Sequence, residues 1–452
     1  MNLHIQLPQG VRMIIEKLAA SGHAAYAVGG CVRDSLMGRL PSDWDITTSA
    51  TPEEMLVVFK DNRVIPTGIK HGTVTILCKG GQYEVTTYRV DGIYTDGRRP
   101  ESVTFSNDLT EDLKRRDFTI NAMAYNETDG LIDCFGGTDD LRNRVIRCVG
   151  DPQERFAEDY LRMLRAYRFA ATLDFTLDSS VVSVVAQNKH KITGISAERI
   201  QAEMNKLLLS GRPVKIRAFI DTFAPVILPE VDVLHGVEQI NPYHYCDVYE
   251  HTMAVLSHTE NDLAMRLTAL LHDTGKALCR TIDDNGTTHF YKHEVKSADI
   301  ASTILKRLKY DNATIDQVVG MVRFHGYCFR PERRAIKKLV GRLGAQLTRN
   351  VLLFCRADTL GKSALAKERN LPLTEECLVV LDEVLTAGEP CAVTDLAVNG
   401  KDVMDILGLR PGREVGEMLN ALLDHVLSDP LINTREQLIA LIQKTTEPAG
   451  DA

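Results

Sequence analysis

The chain is 452 residues long, carries a formal net charge of −8 at pH 7 and contains 10 cysteines. This length allows about three domains with sizeable cores, and cysteines without a C-x-x-C pair predict free thiols rather than a disulfide framework. The sequence shows neither a signal-peptide pattern nor an apolar run of about 18 residues, so we expect a soluble cytoplasmic protein with no membrane span.

In chain order, the hydrophobic patterns predict a mixed N-terminal region followed by a helical one. A helical pattern covers residues 8–22. Short apolar or alternating runs predict strands near 24–28, 43–48, 72–78 and 82–88, and helices are predicted at 32–38 and 52–60. From about residue 155 onward, segments with a 3.6-residue period dominate, and residues 445–452 predict a disordered tail.

The first distinctive segment is VGGCVRDSLMGRLPSDWDIT at 28–47. Gly29 and Gly30 directly follow a predicted strand, and a glycine has no Cβ that would hold a phosphate away from the backbone. Amides at this turn and at the start of the next helix would face a triphosphate, and Arg33 would add positive charge. A glycine pair alone is more often an ordinary turn.

Two aspartates in the same segment form a candidate metal site. Asp43 and Asp45 are two residues apart at the head of a predicted strand, so their side chains point to the same face. Paired carboxylates suit Mg²⁺, and a two-metal site would activate a 3′-hydroxyl and stabilise a leaving pyrophosphate. These residues are therefore the candidate catalytic and metal-binding pair.

Three downstream blocks extend the pattern: RRDFTINAMAYN at 115–126, DCFGGTDDLRNRVIR at 133–147 and EDYLRMLRAYRFA at 158–170. With them, the chain resembles the DNA-polymerase-beta nucleotidyltransferase superfamily, and more narrowly the class II tRNA nucleotidyltransferase (CCA-adding) and bacterial poly(A) polymerase family. The resemblance implies an α/β nucleotidyltransferase head with a DNA-polymerase-beta-like mixed sheet. An all-α neck, a body with an HD domain and a helical tail would follow.

The same resemblance implies the substrates and several residue roles. CCA would be added to tRNA 3′ ends from CTP and ATP, and the head would hold Mg²⁺. The helical part would hold the acceptor and TΨC region of the tRNA by shape. Arg116 would contact the incoming nucleotide, Asn121 would line the floor of the head, and Asp112 and Asp117 are candidate supporting carboxylates. Segment 87–105 would be the loop that helps the switch from C to A addition, although its glycines suit an ordinary surface loop equally well.

The block at 158–170 predicts nucleotide selection. On one helix, Asp159 and Arg162 would be neighbours on one face, and Arg165 and Arg168 would continue the row. A carboxylate beside a guanidinium matches the Watson–Crick edges of cytosine and adenine, whereas uracil and guanine place a carbonyl opposite the aspartate. We therefore predict that Asp159 and Arg162 select the base. Arg165 and Arg168 would serve the triphosphate or support the pair, since a row of arginines without matching acids is unusual for a surface ion pair.

The C-terminal half contains a second candidate site. Its residues form a series typical of the HD phosphohydrolase superfamily: His251, His272, Asp273, His293, His325 and Asp358. Imidazole and carboxylate ligands on helices suit a divalent transition metal or Mg²⁺. We predict a second metal site at His251, His272 and Asp273, and an inert helical scaffold is the alternative.

The negative net charge conceals a local basic segment. Residues 301–350 contain 11 Lys and Arg against 3 Asp and Glu, whereas residues 351–452 contain 9 against 17. A basic segment of this kind can contact RNA phosphates. Solvated helix faces, with Lys337 and Lys338 pointing outward, are the alternative.

These observations predict four domains: a head at 1–150, a neck and RNA-binding region at 151–238, an HD-type domain at 239–365 and a helical tail at 366–452. The predicted activity is CCA addition by a nucleotidyltransferase of EC class 2.7.7. Two alternatives stay open. One is an A-adding or poly(A) polymerase, and the other is an HD phosphohydrolase whose head only binds tRNA.

Overall fold

The chain forms two units, Met1–Ile227 and Leu228–Ala452. A computed structural model describes residues 4–78, 80–92, 102–327 and 329–444. Within these ranges, the nine cysteines are free thiols, as predicted. None of the described helices is both long enough and apolar enough to cross a membrane.

The first unit is built on a mixed sheet. Its strands in chain order are β1 Ala25–Val28, β2 Asp45–Thr48, β3 Arg63–Gly68, β4 Thr73–Cys78, β5 Gly81–Thr87, β6 Arg89–Asp91, β7 Val103–Phe105, β8 Met123–Asn126, β9 Gly130–Asp133, β10 Val145–Ile146 and β11 Thr176–Leu177. Seven of them form one sheet in the order β3-β4-β5-β2-β1-β8-β9. Strands β2 and β5 are parallel, and the other neighbours in this sheet are antiparallel.

The helices of the first unit are α1 Gln9–Ala20, α2 Gly30–Leu36, α3 Pro52–Val58, α4 Leu109–Lys114, α5 Gly137–Asn143, α6 Pro152–Glu158, α7 Leu161–Leu173, α8 Ser179–Asn188, α9 Ala197–Leu208 and α10 Pro213–Ile227. Buried residues of α1, such as Val11 and Ile14, pack in one core with Val74 and Val85 of the sheet. Apolar residues recur on one face of α1, so this packing is what its sequence predicts.

The second unit is helical apart from one hairpin. Its elements are α11 Pro229–Asp232, α12 Val248–His258, α13 Leu263–Leu271, α14 Lys276–Cys279, β12 Arg280–Ile282, β13 Thr288–Phe290, α15 His293–Arg307, α16 Asn312–Phe324, α17 Arg333–Leu343, α18 Ala345–Leu360, α19 Ala364–Ala387, α20 Gly400–Leu407, α21 Arg413–Ser428 and α22 Arg435–Lys444. The α/β head followed by helices is therefore confirmed.

Several boundaries differ from the predictions. Asp43 precedes β2, which begins at Asp45, and strands β3, β8 and β9 were not predicted. Much of the predicted loop, residues 93–101, and the predicted disordered tail at 445–452 lie outside the described residues. The four-domain division stays a prediction.

Helix α17 corrects one expectation about charge. Lys337 is only 1% exposed, and its Nζ lies 3.0 Å from Glu389. Lys338 pairs with Asp424 at 2.8 Å, and Arg333 pairs with Glu383 at 2.9 Å. The alternative in which Lys337 points outward is therefore wrong, because Glu389, in the segment after α19, supplies its counter-charge and the ammonium is buried beside it.

Candidate active site

The glycine turn after β1 lies against an arginine. Gly29 has a φ of +83°, a conformation that favours glycine. A Cβ at Gly29 would lie 2.9 Å from Nη1 of Arg116, and one at Gly30 would lie 3.6 Å from Nη2 of Arg33. The sequence made Gly30 of this glycine pair a candidate nucleotide-binding residue, and that role stays a prediction. Gly29 is the residue at which the positive φ and the close approach of Arg116 require a glycine.

The predicted metal carboxylates lie exposed at the start of β2. The Ser42 hydroxyl donates a 2.8 Å hydrogen bond to Asp43. Asp45 is paired in register with Glu84 of β5, so both side chains lie on one face of the sheet. Desolvation raises the pKa of Asp45, and repulsion by the carboxylates of Asp43 and Glu84 raises it further. The positive charge of Arg116 acts in the opposite direction and lowers it. Glu84 was missed because its pairing with Asp45 depends on a long-range strand register.

Arg116 links this carboxylate group to the glycine turn. Its guanidinium lies 3.5 Å from the buried carboxylate of Asp112, which also accepts hydrogen bonds from Arg115 and from the Thr47 hydroxyl. Burial lowers the pKa of the Arg116 guanidinium, whereas the negative charges of Asp112 and Asp45 raise it. Asp112 therefore positions Arg116 near Asp45 and Gly29.

Three predicted arginines surround the ring of Phe169. The guanidinium carbons of Arg33, Arg165 and Arg168 lie 5.1, 5.3 and 3.9 Å from its ring centroid. Arg33 also donates a 2.6 Å hydrogen bond to Asn121. The structure thus gathers cationic groups from α2 and α7, an arrangement suited to a polyanion such as a triphosphate.

The structure corrects the geometry of the predicted base-selecting pair. Asp159 does not lie on a helix with Arg162, because α6 ends at Glu158 and α7 begins at Leu161. The Asp159 side chain instead accepts the backbone N–H of Leu161, the first residue of α7, at 3.0 Å. Arg162 pairs with Glu158 at 2.5 Å. That these residues select the base stays a prediction.

Helix α9 supplies partners that the sequence did not reveal. Arg199 donates two hydrogen bonds to Asp159, at 3.2 and 2.6 Å. Glu203 is buried and pairs with Arg168 and, at 3.7 Å, with Arg165. Arg165 also pairs with Asp117 at 2.6 Å. The expectation that the arginine row lacks matching acids is therefore wrong, because the acids come from other elements.

The HD-type residues converge in the second unit. Ring Nδ1 atoms of His272, His293 and His325 face backbone carbonyl oxygens at 2.9, 2.7 and 2.6 Å, and Nδ1 of His251 faces Gly361 at 3.3 Å. A carbonyl oxygen only accepts, so Nδ1 of His272, His293 and His325 carries a proton, and in the neutral ring Nε2 presents a lone pair. His251 differs, because its Nε2 lies 2.9 Å from Asp358, a carboxylate that also only accepts. Desolvation lowers the pKa of His251, and it lowers that of His293 to about 4, so both rings are neutral at pH 7.

These lone pairs surround one buried carboxylate. The Nε2 atoms of His272 and His251 lie 3.1 and 3.6 Å from Oδ2 of Asp273, and those of His293 and His325 lie 3.4 and 3.6 Å from its Oδ1. Neither Asp273 oxygen makes a hydrogen bond of good geometry, although Lys276 lies 2.7 Å from Oδ2. Asp358 lies 2.9 Å from His251 and is also paired with Lys362. Imidazole nitrogens and carboxylate oxygens that face one another as hydrogen-bond acceptors favour a bound cation.

The head sheet, its glycine turn and its carboxylates define a nucleotidyltransferase, and family comparisons agree. Residues 25–147 match the Poly A polymerase head domain, 174–234 match the probable RNA and SrmB-binding site of polymerase A, and 289–442 match tRNA nucleotidyltransferase domain 2. The chain belongs to the family of CCA-adding enzymes. The CCA-adding enzyme of Streptococcus thermophilus is 35% identical to it, over 95% of each chain.

Two further relatives support this assignment. The CCA-adding enzyme of Geobacillus stearothermophilus is 51% identical over 205 residues, which are 45% of this chain and 50% of the relative. The crystal structure of the Bacillus stearothermophilus CCA-adding enzyme in complex with CTP superimposes with a TM-score of 0.72 and 30% identity. That superposition covers 97% of this chain and 98% of the other.

Proposed function

We propose that the chain adds CCA to tRNA 3′ ends from CTP and ATP in the cytoplasm. The observation that carries this proposal is the grouping of Asp43, Asp45 and Arg116 at the glycine turn, in a family whose named relatives are CCA-adding enzymes. The test uses tRNA transcripts that end at the discriminator base, at C or at CC, each incubated with single nucleotides. Addition of C, C and then A supports the proposal, whereas A addition alone would favour the poly(A) polymerase alternative.

The head carboxylates fit the metal that this chemistry uses. Asp43, Asp45 and Glu84 are oxygen donors of the kind that Mg²⁺ prefers. Desolvation is the largest cause of the raised pKa of Asp45, and repulsion by Asp43 and Glu84 adds to it, so these three carboxylates lie close enough to one another to interact. Mg²⁺ bound there would activate the attacking 3′-hydroxyl and stabilise the departing pyrophosphate. We propose Asp43 and Asp45 as its main ligands and Glu84 as a supporting carboxylate.

The remaining side chains bind and orient the nucleotide. The amides after Gly29, together with Arg33 and Arg165, would hold the triphosphate. Arg168 is buried and paired with Glu203, so it would support these residues. Arg116 lies between Asp45 and the glycine turn, so it would neutralise charge at the reacting phosphate. Asp159 and Arg162 would present an acceptor and a donor to the base edge.

Base selection by Asp159 predicts a specific change in fidelity. In the Asp159→Ala variant, we expect incorporation of UTP or GTP relative to CTP or ATP to rise about tenfold to a hundredfold, because the acceptor that opposes their carbonyls is lost. The measurement is single-nucleotide kcat/KM on tRNA ending in C. Arg199→Ala should shift the same ratio by a smaller factor, since it frees Asp159 without removing it. An equal loss of activity with all four nucleotides would instead show that the pair is structural.

We also propose a divalent metal centre in the second unit, with His251, His272 and Asp273 as ligands. The supporting observation is the set of Nε2 lone pairs around Asp273, with no hydrogen bond of good geometry to either of its oxygens. His293, His325 and Asp273 form a second group whose ligand atoms lie within 4.8 Å of one another. Imidazole and carboxylate donors favour a transition metal such as Ni²⁺, Co²⁺ or Mn²⁺. A metal held there would polarise a phosphate ester.

The metal proposal predicts a loss of binding that is separate from the head. The double variant His272→Ala, Asp273→Ala should bind at least about tenfold less Ni²⁺ or Mn²⁺ in calorimetry and should lose any metal-dependent hydrolysis of phosphate esters. CCA addition should stay close to normal. The matched control is His289→Ala, Asp283→Ala, which removes an exposed pair at 2.9 Å. A wild-type protein that binds no divalent metal at this site would contradict the proposal.

A further inference from the structure

A groove of about 670 Å³ runs along one side of α17 in the second unit. One wall is the segment after α16, with Tyr327, Phe329 and Arg330, and the other is the α17 face with Ile336, Leu339 and Arg342. Tyr327 is 56% exposed, and its ring centroid lies 5.3 Å from that of Phe329. Phe329 is partly buried against the core beneath the groove, so Tyr327 is the exposed ring of the pair. An exposed ring beside cations is a surface on which a flat ligand can stack.

Three cations line this groove, Arg330, Lys338 and Arg342, and they differ in whether an acidic residue pairs with them. Arg333, Arg334, Lys337 and Lys338 all pair with acidic residues of the C-terminal helices or of the segment before them. Within the described ranges, Arg330 and Arg342 have no acidic partner, and Arg342 lies 4.8 Å from the ring of Phe324. Arg330 and Arg342 therefore line the groove and stay available to bind an anion.

We propose that this groove binds an unpaired nucleotide of the RNA substrate. The base would stack on Tyr327 and Phe329, and the flanking phosphates would contact Arg330 and Arg342. Proteins recognise unpaired RNA in this way, because every base has a flat face for an aromatic ring and the backbone is a polyanion. The inference rests on the proposed function, since tRNA is the RNA that the chain would bind.

Charge complementarity favours RNA over a protein segment as the occupant. Two guanidiniums flank an aromatic surface here, whereas the acids of the neighbouring C-terminal helices are already engaged by α17. A polyanion with flat bases satisfies both parts of the groove. An acidic protein segment would satisfy only the cations and would leave the aromatic rings without matching partners.

The first test measures tRNA affinity. We expect Tyr327→Ala to weaken tRNA binding about tenfold, while Tyr327→Phe binds like the wild type because it keeps the ring. The double variant Arg330→Ala, Arg342→Ala should lower the slope of log K against log salt by about two, one for each lost phosphate contact. Matched controls are Tyr291→Ala, a tyrosine that is 70% exposed, and Arg413→Ala, which removes a surface pair with Glu417.

Further readouts separate this proposal from the proposed function. KM for CTP at saturating tRNA should not change in any groove variant, and the melting temperatures should match that of the wild type. If the wild type neither binds nor extends tRNA, the proposed function itself fails. If the wild type does both and the groove variants bind tRNA like the controls, the groove proposal is overturned. Unchanged tRNA affinity with altered self-association would likewise overturn it in favour of a protein-binding groove.

Discussion

Asp45→Ala and Asp43→Ala are each expected to lower the rate of nucleotide addition by about a thousandfold or more. Each change removes a carboxylate from the proposed metal site, and metal stabilisation of a phosphoryl transition state is worth several kcal/mol, at about 1.4 kcal/mol for each tenfold in rate. The measurement is single-turnover addition of CTP to tRNA lacking CCA. Affinity for tRNA and the melting temperature should stay near the wild-type values, because both carboxylates are exposed.

Two comparisons sharpen that prediction. Asp45→Asn keeps the shape of the side chain but removes its charge, so it should lose nearly as much activity as Asp45→Ala. Asp139→Ala removes an exposed aspartate that forms a surface ion pair with Arg142 at 2.7 Å, so it should leave the rate unchanged. If both Asp43→Ala and Asp45→Ala retain activity, these residues are not the ligands of the catalytic metal.

Glu203→Ala is expected to destabilise the first unit by about 3–5 kcal/mol, since it leaves the buried guanidinium of Arg168 without a counter-charge. Glu203 is only 4% exposed and Arg168 is 7% exposed. The chain's only tryptophan, Trp44, packs against the head core, so its fluorescence during urea unfolding reports on this unit. We expect the midpoint to fall clearly below that of the wild type.

Controls for the Glu203 prediction separate charge from packing. Glu417→Ala removes the acid of a surface pair with Arg413 and should change the free energy of unfolding by less than about 1 kcal/mol. The double variant Glu203→Leu, Arg168→Met replaces both charges with apolar groups and should recover most of the lost stability. Equal midpoints for Glu203→Ala and the wild type would show that the pair contributes nothing to folding.

Local patterns in the sequence predicted the elements well wherever the chain folds on itself over a short range. The strand at Ala25–Val28 and the helix at Gln9–Ala20 follow from apolar runs and helical spacing. Asp159 shows the limit of this approach. The 3.6-residue period continues across it and predicts one helix, while in the structure one helix ends at Glu158, the next begins at Leu161, and the Asp159 carboxylate accepts the backbone N–H of Leu161. The one available signal was the aspartate itself, because its carboxylate can bond to nearby backbone N–H groups and so compete with a continuous helix.

Partners that come from distant elements could not be predicted from one sequence. Glu84 meets Asp45 only because β2 and β5 are parallel neighbours in a particular register, and Arg199 reaches Asp159 from a helix 40 residues further along the chain. The HD-type histidines were grouped correctly by their series. Their protonation depends on the carbonyls that each Nδ1 faces, and only the fold supplies that information.

The ion pairs of α17 determine how a shortened protein would behave. Glu389 and Asp424 are counterions of this helix, so removing the chain after Gly388 would leave Arg334 and Lys338 without these acidic partners and Lys337 without its partner Glu389. Arg333 would keep its pair with Glu383. Such a truncated protein would be less stable and would adhere more strongly to any polyanion, specific or not. If the truncated protein bound RNA more tightly, the cause would be its newly exposed positive charge. The result would not show that the C-terminal part inhibits an RNA-binding site.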